Sequence, residues 1–232
     1  MASTPNISGM SIMIEQANEI IANFPKDGGR AMLGAEAAAL LMECVAMTDG
    51  DYIEIGSAFG GSAIMAAKAM AERPGTVYCI DNFLGVNILE GSDAVYGAFW
   101  SNVIDFGVAQ RVVAFNQSHP PFPNPIHFHE FSVGLIDGDH LGEGPLKDFF
   151  ALDSRVTDYL LFDNANQDPI EATIGAAIKG GNWEEYKTTE YHTALSGNAA
   201  VRFVALKKVQ NSAPIPYYEK VVYYMGNERI PL

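Results

Sequence analysis

A strand–turn–helix–strand unit between Asp51 and Asp81 is the feature that most constrains the fold of this chain. The apolar run 52–55 ends at a glycine, which is typical of a buried parallel strand. A glycine-rich turn and a run of good helix formers follow, and a Pro-Gly pair ends that helix before a second apolar run, 76–80. The unit therefore predicts that the backbone N–H groups at the start of the helix lie beside an acidic residue at the end of the next strand. This arrangement suits a ligand that contains a nucleoside.

The turn itself has the pattern Glu54-x-Gly56-x-x-x-Gly60-x-Ser62. It is not the G-x-G-x-x-G fingerprint of dinucleotide-binding proteins. Its glycines allow positive φ and a close approach of the backbone to a ligand, and Ser62 is expected to cap the following helix. A plain βαβ turn without a ligand is the alternative, but a strand carboxylate followed by this turn favours a binding site.

Composition limits the classes of function. A chain of 232 residues fits one α/β domain, and its net charge of −14 argues against a nucleic-acid partner. Its two cysteines imply no disulfide framework. There is no basic segment before Lys26 and no long apolar span, so we expect no signal peptide, no membrane helix and a cytoplasmic location.

Further along the chain, acids follow two more predicted strands. The run 133–136 leads into Asp137-Gly-Asp-His, and the run 159–162 leads into Asp163 and Asn164. Ligands of open parallel sheets bind beyond the carboxyl ends of the strands, where these side chains would meet Asp81. Asp137, Asp163 and Asn164 offer hard oxygen ligands for Mg²⁺ or a similar cation, although such acids also serve as helix caps.

His140 lies three residues after Asp137, on the turn that leaves the same strand. An imidazole there could take the proton of a substrate hydroxyl, with Asp137 beside it in the catalytic centre. It could instead orient the loop or the acids. His127 and His129 alternate on the approach to a strand, and they are predicted to be surface or half-buried residues rather than a metal pair.

The other predicted elements complete an α/β pattern. Two helices, 11–24 and 30–47, precede the glycine turn, and the remaining elements are helices at 94–106, 145–152 and 169–179 and strands at 111–115, 183–191 and 200–207. The apolar loop 82–93 is interpreted as a wall or lid of the site. The last two strands are predicted to form a hairpin around 196–198. The aromatic tail 209–232 is expected to pack on its own domain, on a second subunit or over the substrate.

The glycine turn resembles motif I of class I S-adenosylmethionine-dependent methyltransferases. The resemblance implies that the turn holds the methionine part of the cofactor, that Asp81 takes the ribose hydroxyls and that the segment around Ser118 lies near adenine. The residues implied to bind the cofactor are Glu54, Gly56, Ser57, Gly60, Ser62, Asp81, Ser118 and Asp137.

The I-D-G-D-H and F-D-N segments resemble the metal-dependent O-methyltransferases of the catechol and caffeoyl-CoA type, over about residues 30–208. The resemblance implies Asp137, Asp163 and Asn164 as metal ligands. That group has a catalytic lysine where this chain has His140, which is instead similar to the macrocin-type sugar O-methyltransferases. A phenol and a sugar hydroxyl therefore both remain open as the methyl acceptor.

Together these patterns predict a Rossmann-like open α/β sheet, mostly parallel with a C-terminal antiparallel strand and with helices on both faces. We expect a single domain over 1–232, with cap helices in 1–47, the catalytic core in 48–208 and an extension in 209–232. The predicted function is S-adenosylmethionine- and Mg²⁺-dependent O-methylation of a small molecule by a monomer or homodimer. The alternatives are a hydroxylase-like enzyme or N-methyltransferase of the same fold, or a catalytically silent binding subunit.

Overall fold

The computed structural model describes residues 7–25, 31–84, 92–192 and 199–209. The strands are β1 Tyr52–Ile55, β2 Val77–Asp81, β3 Val112–Asn116, β4 Phe131–Ile136, β5 Val156–Phe162, β6 Trp183–Tyr191 and β7 Val201–Lys208. The α-helices are α1 Ile7–Asn23, α2 Ala35–Ala46, α3 Gly61–Ala69, α4 Ser92–Asp105, α5 Gly144–Asp153 and α6 Asp168–Lys179. Short 3₁₀ turns are present at Ala109–Arg111 and Asn124–Ile126.

The strands form one seven-stranded sheet in the order β3-β2-β1-β4-β5-β7-β6. The first five of these are parallel, and β7 runs antiparallel to both β5 and β6. In the register, Ile55 lies opposite both Ile80 and Ile136, and Ile136 lies opposite Phe162. The residues that follow these positions therefore lie side by side at one edge, and the predicted Rossmann-like fold is confirmed.

The two faces of the sheet are covered by separate apolar layers. Tyr52, Cys79 and Leu135 point to the face on which α1, α2, α3 and α4 pack. Ile53 and Ile136 point to the other face, with α5 and α6. Strands buried on both faces explain the continuous apolar runs in the sequence.

The start of α3 differs from the sequence prediction, because Gly60 and not Ser62 is the N-cap. The N–H of Gly60 donates to the carbonyl of Ser57 at 2.7 Å, and this tight turn leaves Gly60 at φ +85°. Glycine adopts that conformation without a steric penalty. Ser62 consequently lies inside the first helical turn, where it is buried.

Other boundaries also shift. α2 begins at Ala35 rather than at residue 30. Most of the predicted lid, the 196–198 turn and the tail 210–232 lie outside the described residues. Within the ranges that are described, no helix combines the length and the apolar character needed to cross a membrane.

Candidate active site

A cavity of about 770 Å³ lies beyond the carboxyl ends of β1, β2, β3 and β4. It brings together most of the residues that the sequence singles out. The predicted site residues that line it are Gly56, Ser57, Ser62, Asp81, Ser118, Asp137 and His140. Glu54, Gly60, Asp163 and Asn164 are not among the lining residues.

Packing between the ends of two strands requires a glycine at position 56. It has φ +91°, and a Cβ at this position would lie 2.0 Å from the carbonyl oxygen of Asp137. The end of β1 and the end of β4 therefore touch directly at Gly56. Gly56 also lines the cavity, so its predicted approach to a ligand stays a prediction.

Asp81 holds the glycine turn in place. Its Oδ2 accepts hydrogen bonds from the backbone N–H groups of Ser57 at 2.7 Å and Ala58 at 2.8 Å. Its Oδ1 accepts from the N–H of Phe83 at 2.6 Å. Each carboxylate oxygen has two acceptor positions, so Oδ2 is filled and Oδ1 keeps one position for a hydroxyl of a ligand.

Glu54 lies behind the turn, fully buried. The hydroxyl of Tyr52 donates to its Oε2 at 3.0 Å, and its Oε1 has no hydrogen-bond partner among the described residues. Burial raises the pKa of Glu54 to about 7, although nearby hydroxyls of Ser57, Ser62 and Tyr52 oppose the rise. A cationic group bound in front of the turn would favour the ionised form.

At the other end of the cavity, His140 and Asp137 form an open pair. The Nε2 of His140 lies 3.3 Å from Oδ1 of Asp137, and the two side chains are 30% and 22% exposed. Burial raises the pKa of Asp137, an effect that His140 opposes. The hydrogen bond to Asp137 raises the pKa of His140. This imidazole is therefore accessible and lies beside a carboxylate, as proton transfer requires.

Asp163 is buried beside this pair. The hydroxyl of Tyr191 lies 2.7 Å from Oδ1 and 2.9 Å from Oδ2 of Asp163. Burial and, after it, the negative charge of Asp137 raise the pKa of Asp163 to about 7. Asn164 follows with φ +51°, a left-handed conformation that is uncommon outside glycine.

Asp137, Asp163 and Asn164 fit a divalent cation only through a combination of carboxylate and amide oxygen atoms. In the described part of the chain, no three His, Cys, Asp or Glu side chains are grouped so that they could hold a metal ion. Asp137 lies near enough to Asp163 for its negative charge to raise the pKa of Asp163, and a bound cation would relieve the repulsion between the two carboxylates. The predicted third protein ligand is the amide oxygen of Asn164, the residue after Asp163.

The sequence reasoning missed a second His–Asp pair in the wall of the cavity. The Nδ1 of His119 lies 2.7 Å from Oδ1 of Asp148, and these side chains are only 4% and 5% exposed. Both residues line the cavity. Burial raises the pKa of Asp148, and His119 opposes the rise. The available signal was an acid on the buried stripe of α5, which also carries Phe149 and Leu152.

The two histidines near β4 lie away from the site. His129 is half-buried, with its Nε2 2.7 Å from Oδ2 of Asp51 at the opposite edge of the sheet. His127 is exposed in the turn after the 3₁₀ segment rather than at the start of a strand. His129 is hydrogen-bonded to Asp51 and His127 is exposed to solvent, so the two do not form a metal pair.

Comparison with known proteins gives a match for the central part of this fold. Residues 53–164 match a family model described as a methyltransferase domain. No curated protein shows significant sequence similarity to the chain. The matched region extends from β1 to the residue after Asp163, so it contains both ends of the cavity.

Solved structures share the fold at low sequence identity. An O-methyltransferase from Bacillus cereus in complex with SAH is 14% identical, with a TM-score of 0.57 over 88% of this chain and 92% of that chain. TomG from Streptomyces achromogenes, an O-methyltransferase in complex with SAM, is 14% identical, with a TM-score of 0.59 over 89% and 99% of the two chains. Precorrin-6y C5,15-methyltransferase from Geobacter metallireducens is 15% identical, with a TM-score of 0.55 over 77% and 92%.

The fold is thus shared by methyltransferases that act on different acceptors, and it does not identify the acceptor of this chain. The matched methyltransferase domain contains the glycine turn and Asp81. The protein contains a methyltransferase domain, and its fold is that of the class I S-adenosylmethionine-dependent methyltransferases.

Proposed function

We propose that the protein transfers the methyl group of S-adenosylmethionine to a hydroxyl of a small molecule, with a divalent cation at the acceptor end of the cavity. The observation that carries this proposal is that one cavity joins the glycine turn to the Asp137–His140 pair. A cofactor held at the turn would point its sulfonium toward groups that can activate a hydroxyl. Phenolic and sugar-like acceptors both fit this chemistry.

The cofactor end supplies binding and orientation. The turn and the N-terminus of α3 would hold the methionine part, with Ser57 and Ser62 in the cavity wall and the buried carboxyl group of Glu54 behind them. Asp81 would accept a hydrogen bond from a ribose hydroxyl at the remaining acceptor position of Oδ1. Ser118, which accepts a hydrogen bond from Asn82 at 3.3 Å, would lie near the adenine of the bound cofactor.

The acceptor end would hold Mg²⁺ or a similar cation through Asp137, Asp163 and Asn164. Such a cation, when bound, lowers the pKa of a substrate hydroxyl. The carboxylates of Asp137 and Asp163 have the charge and hard oxygen atoms that it requires. The cavity would also exclude water and hold the acceptor hydroxyl in line with the sulfonium methyl group.

His140 is proposed as the general base. If its Nε2–H faces Asp137, its Nδ1 carries the lone pair that takes the proton of the acceptor hydroxyl. S-adenosylmethionine, when bound, would supply the methyl group: the acceptor oxygen would bond to the methyl carbon as the carbon–sulfur bond breaks, and S-adenosylhomocysteine would be released. Asp137 stabilises the imidazolium that results.

A small acceptor is favoured over a nucleic acid. The acids that line the cavity are Asp81, Asp137, Asp139, Glu143 and Asp148, whereas Lys147 is the one lysine or arginine among the lining residues. Phosphate groups would be repelled from such a surface. A neutral or cationic acceptor suits it better.

The proposal is tested first on the cofactor and then on the chemistry. Calorimetry should show S-adenosylhomocysteine binding to the wild-type protein and binding weakened by about 1–3 kcal/mol in Asp81→Ala, the scale for losing a hydrogen-bonded charged partner. Unchanged affinity in the variant would remove Asp81 from the cofactor site.

The reaction is then followed as S-adenosylhomocysteine release with catechols, other phenols and sugars as acceptors. Turnover should stop in EDTA and return with Mg²⁺, while S-adenosylhomocysteine affinity stays nearly constant, because the cation holds the acceptor. Full turnover in EDTA would exclude the metal from the mechanism. Methylation of nitrogen alone would favour the N-methyltransferase alternative.

A further inference from the structure

Tyr191 makes the most specific contact with the acceptor end that the proposed chemistry does not use. Tyr191 is only 3% exposed, and its hydroxyl lies within hydrogen-bond distance of both carboxylate oxygens of Asp163. Tyr191 is the last residue of β6, whereas Asp163 directly follows β5. Because β7 lies between these strands, the tyrosine side chain reaches across a whole strand to this carboxylate.

The ring of Tyr191 is fixed by packing. A Cβ on Gly34, the N-cap of α2, would lie only 2.6 Å from Cδ2 of the Tyr191 ring. The ring therefore fills the space that a side chain at Gly34 would need. A hydroxyl held on such a ring can fix the direction of the carboxylate that accepts its hydrogen bond.

We propose that Tyr191 is a positioning residue that orients the carboxylate of Asp163 for divalent-cation binding. The inference rests on the proposed function, because it assumes that Asp163 is a metal ligand. The Tyr191 O–H donates to one oxygen of Asp163 at a time, and the carboxylate keeps the remaining acceptor positions for a cation. Neighbours that hydrogen-bond to ligating carboxylates in this way commonly set the metal affinity by about 10–100-fold.

The chain offers a matched control on the same strand. Tyr186 also belongs to β6, but its hydroxyl lies 3.3 Å from Oε1 of Glu43, at the surface of α2 and away from the cavity. Tyr186→Phe and Tyr191→Phe remove the same atom from the same strand. A general effect of losing a tyrosine hydroxyl from β6 should appear in both variants.

The experiment measures Mn²⁺ binding by electron paramagnetic resonance in the wild type, Tyr191→Phe and Tyr186→Phe, each saturated with S-adenosylhomocysteine. We expect Tyr191→Phe to weaken Mn²⁺ binding about 10–100-fold. Tyr186→Phe should match the wild type. Affinity for S-adenosylhomocysteine should be the same in all three proteins, which shows that each is folded.

Equal Mn²⁺ affinity in Tyr191→Phe and the wild type would overturn the inference and leave the metal proposal intact. An absence of Mn²⁺ binding in the wild type would overturn the metal proposal itself, and this inference with it. Should Tyr191→Phe fail to fold, Gly34→Ala gives the second test. That variant keeps the hydroxyl but displaces the ring, so unchanged Mn²⁺ affinity there would count against the inference.

Discussion

The cavity contains two His–Asp pairs that differ in almost every physical respect. His140 and Asp137 are 3.3 Å apart and partly open to solvent, with 30% and 22% of their side chains exposed. His119 and Asp148 are 2.7 Å apart and almost entirely enclosed, with 4% and 5% exposed. The same two residue types are therefore present once as a loose accessible pair and once as a tight buried pair.

The difference teaches which pair can do chemistry. A general base has to be reached by its substrate and has to exchange protons, which His140 can do. A buried pair instead joins the elements that carry it, and His119–Asp148 joins the loop after β3 to α5. We therefore propose that the first pair takes part in turnover and that the second shapes the cavity wall.

The largest expected effect is the loss of turnover in His140→Ala. kcat should fall by roughly 10²–10⁴-fold, the usual contribution of a positioned general base. Affinity for S-adenosylhomocysteine and Mn²⁺ should be kept, and the residual rate should rise with pH as hydroxide replaces the base. If metal affinity falls with kcat, His140 is a ligand or an orienting residue instead.

The next effect is on stability, in Asp148→Ala. Removing one partner of a buried pair leaves the other uncompensated, so the free energy of unfolding should fall by about 3–5 kcal/mol. Urea denaturation measures this change, with Asp158→Ala as the control at an exposed acid. A change no larger than that of the control would show that the tight pair does not hold the wall.

Glu54 extends the comparison to a buried acid that has no imidazole partner. Its folded-state pKa of about 7 lies above the ordinary value of 4.5, so the folded protein binds this proton more tightly. The associated stability is present below pH 4.5 and is lost as pH rises toward 7, a decrease of about 3 kcal/mol. In the cofactor-free protein, the stability difference between wild type and Glu54→Gln should change by that amount between pH 4 and 8; a constant difference would contradict the burial effect.

The smallest expected effect is on the stability of His140→Ala. An accessible ion pair contributes about 0–1 kcal/mol, so thermal unfolding of this variant should differ little from the wild type. A loss as large as that of Asp148→Ala would erase the distinction between the two pairs.

The sequence was sufficient for the parts of the site that depend on local pattern. The β1–α3–β2 unit and the acids after β2, β4 and β5 follow from apolar runs that end at a glycine or an acid. Parallel strands then bring those ends to one edge, which places Asp81 and Asp137 on the same cavity. The same reasoning brings Asp163 near Asp137, although Asp163 does not line the cavity.

The sequence was insufficient where distant segments meet. His119 and Asp148 are 29 positions apart, and Tyr191 and Asp163 are 28 apart. Their pairing depends on how α5 and β6 pack, which no local periodicity encodes. Gly56 gives the same lesson, since its need for a glycine comes from the carbonyl of Asp137 in another strand.

The most direct measurement is an anomalous-diffraction map from crystals grown with S-adenosylhomocysteine and Mn²⁺. We expect S-adenosylhomocysteine against the glycine turn, with its ribose on Asp81. The Mn²⁺ peak should lie among Asp137, Asp163 and Asn164, at the end of the cavity that contains His140. Two results would contradict the proposed division into a cofactor end and a metal-assisted acceptor end. One is a nucleoside bound elsewhere, and the other is the absence of an Mn²⁺ peak at Asp137 and Asp163 at saturating metal.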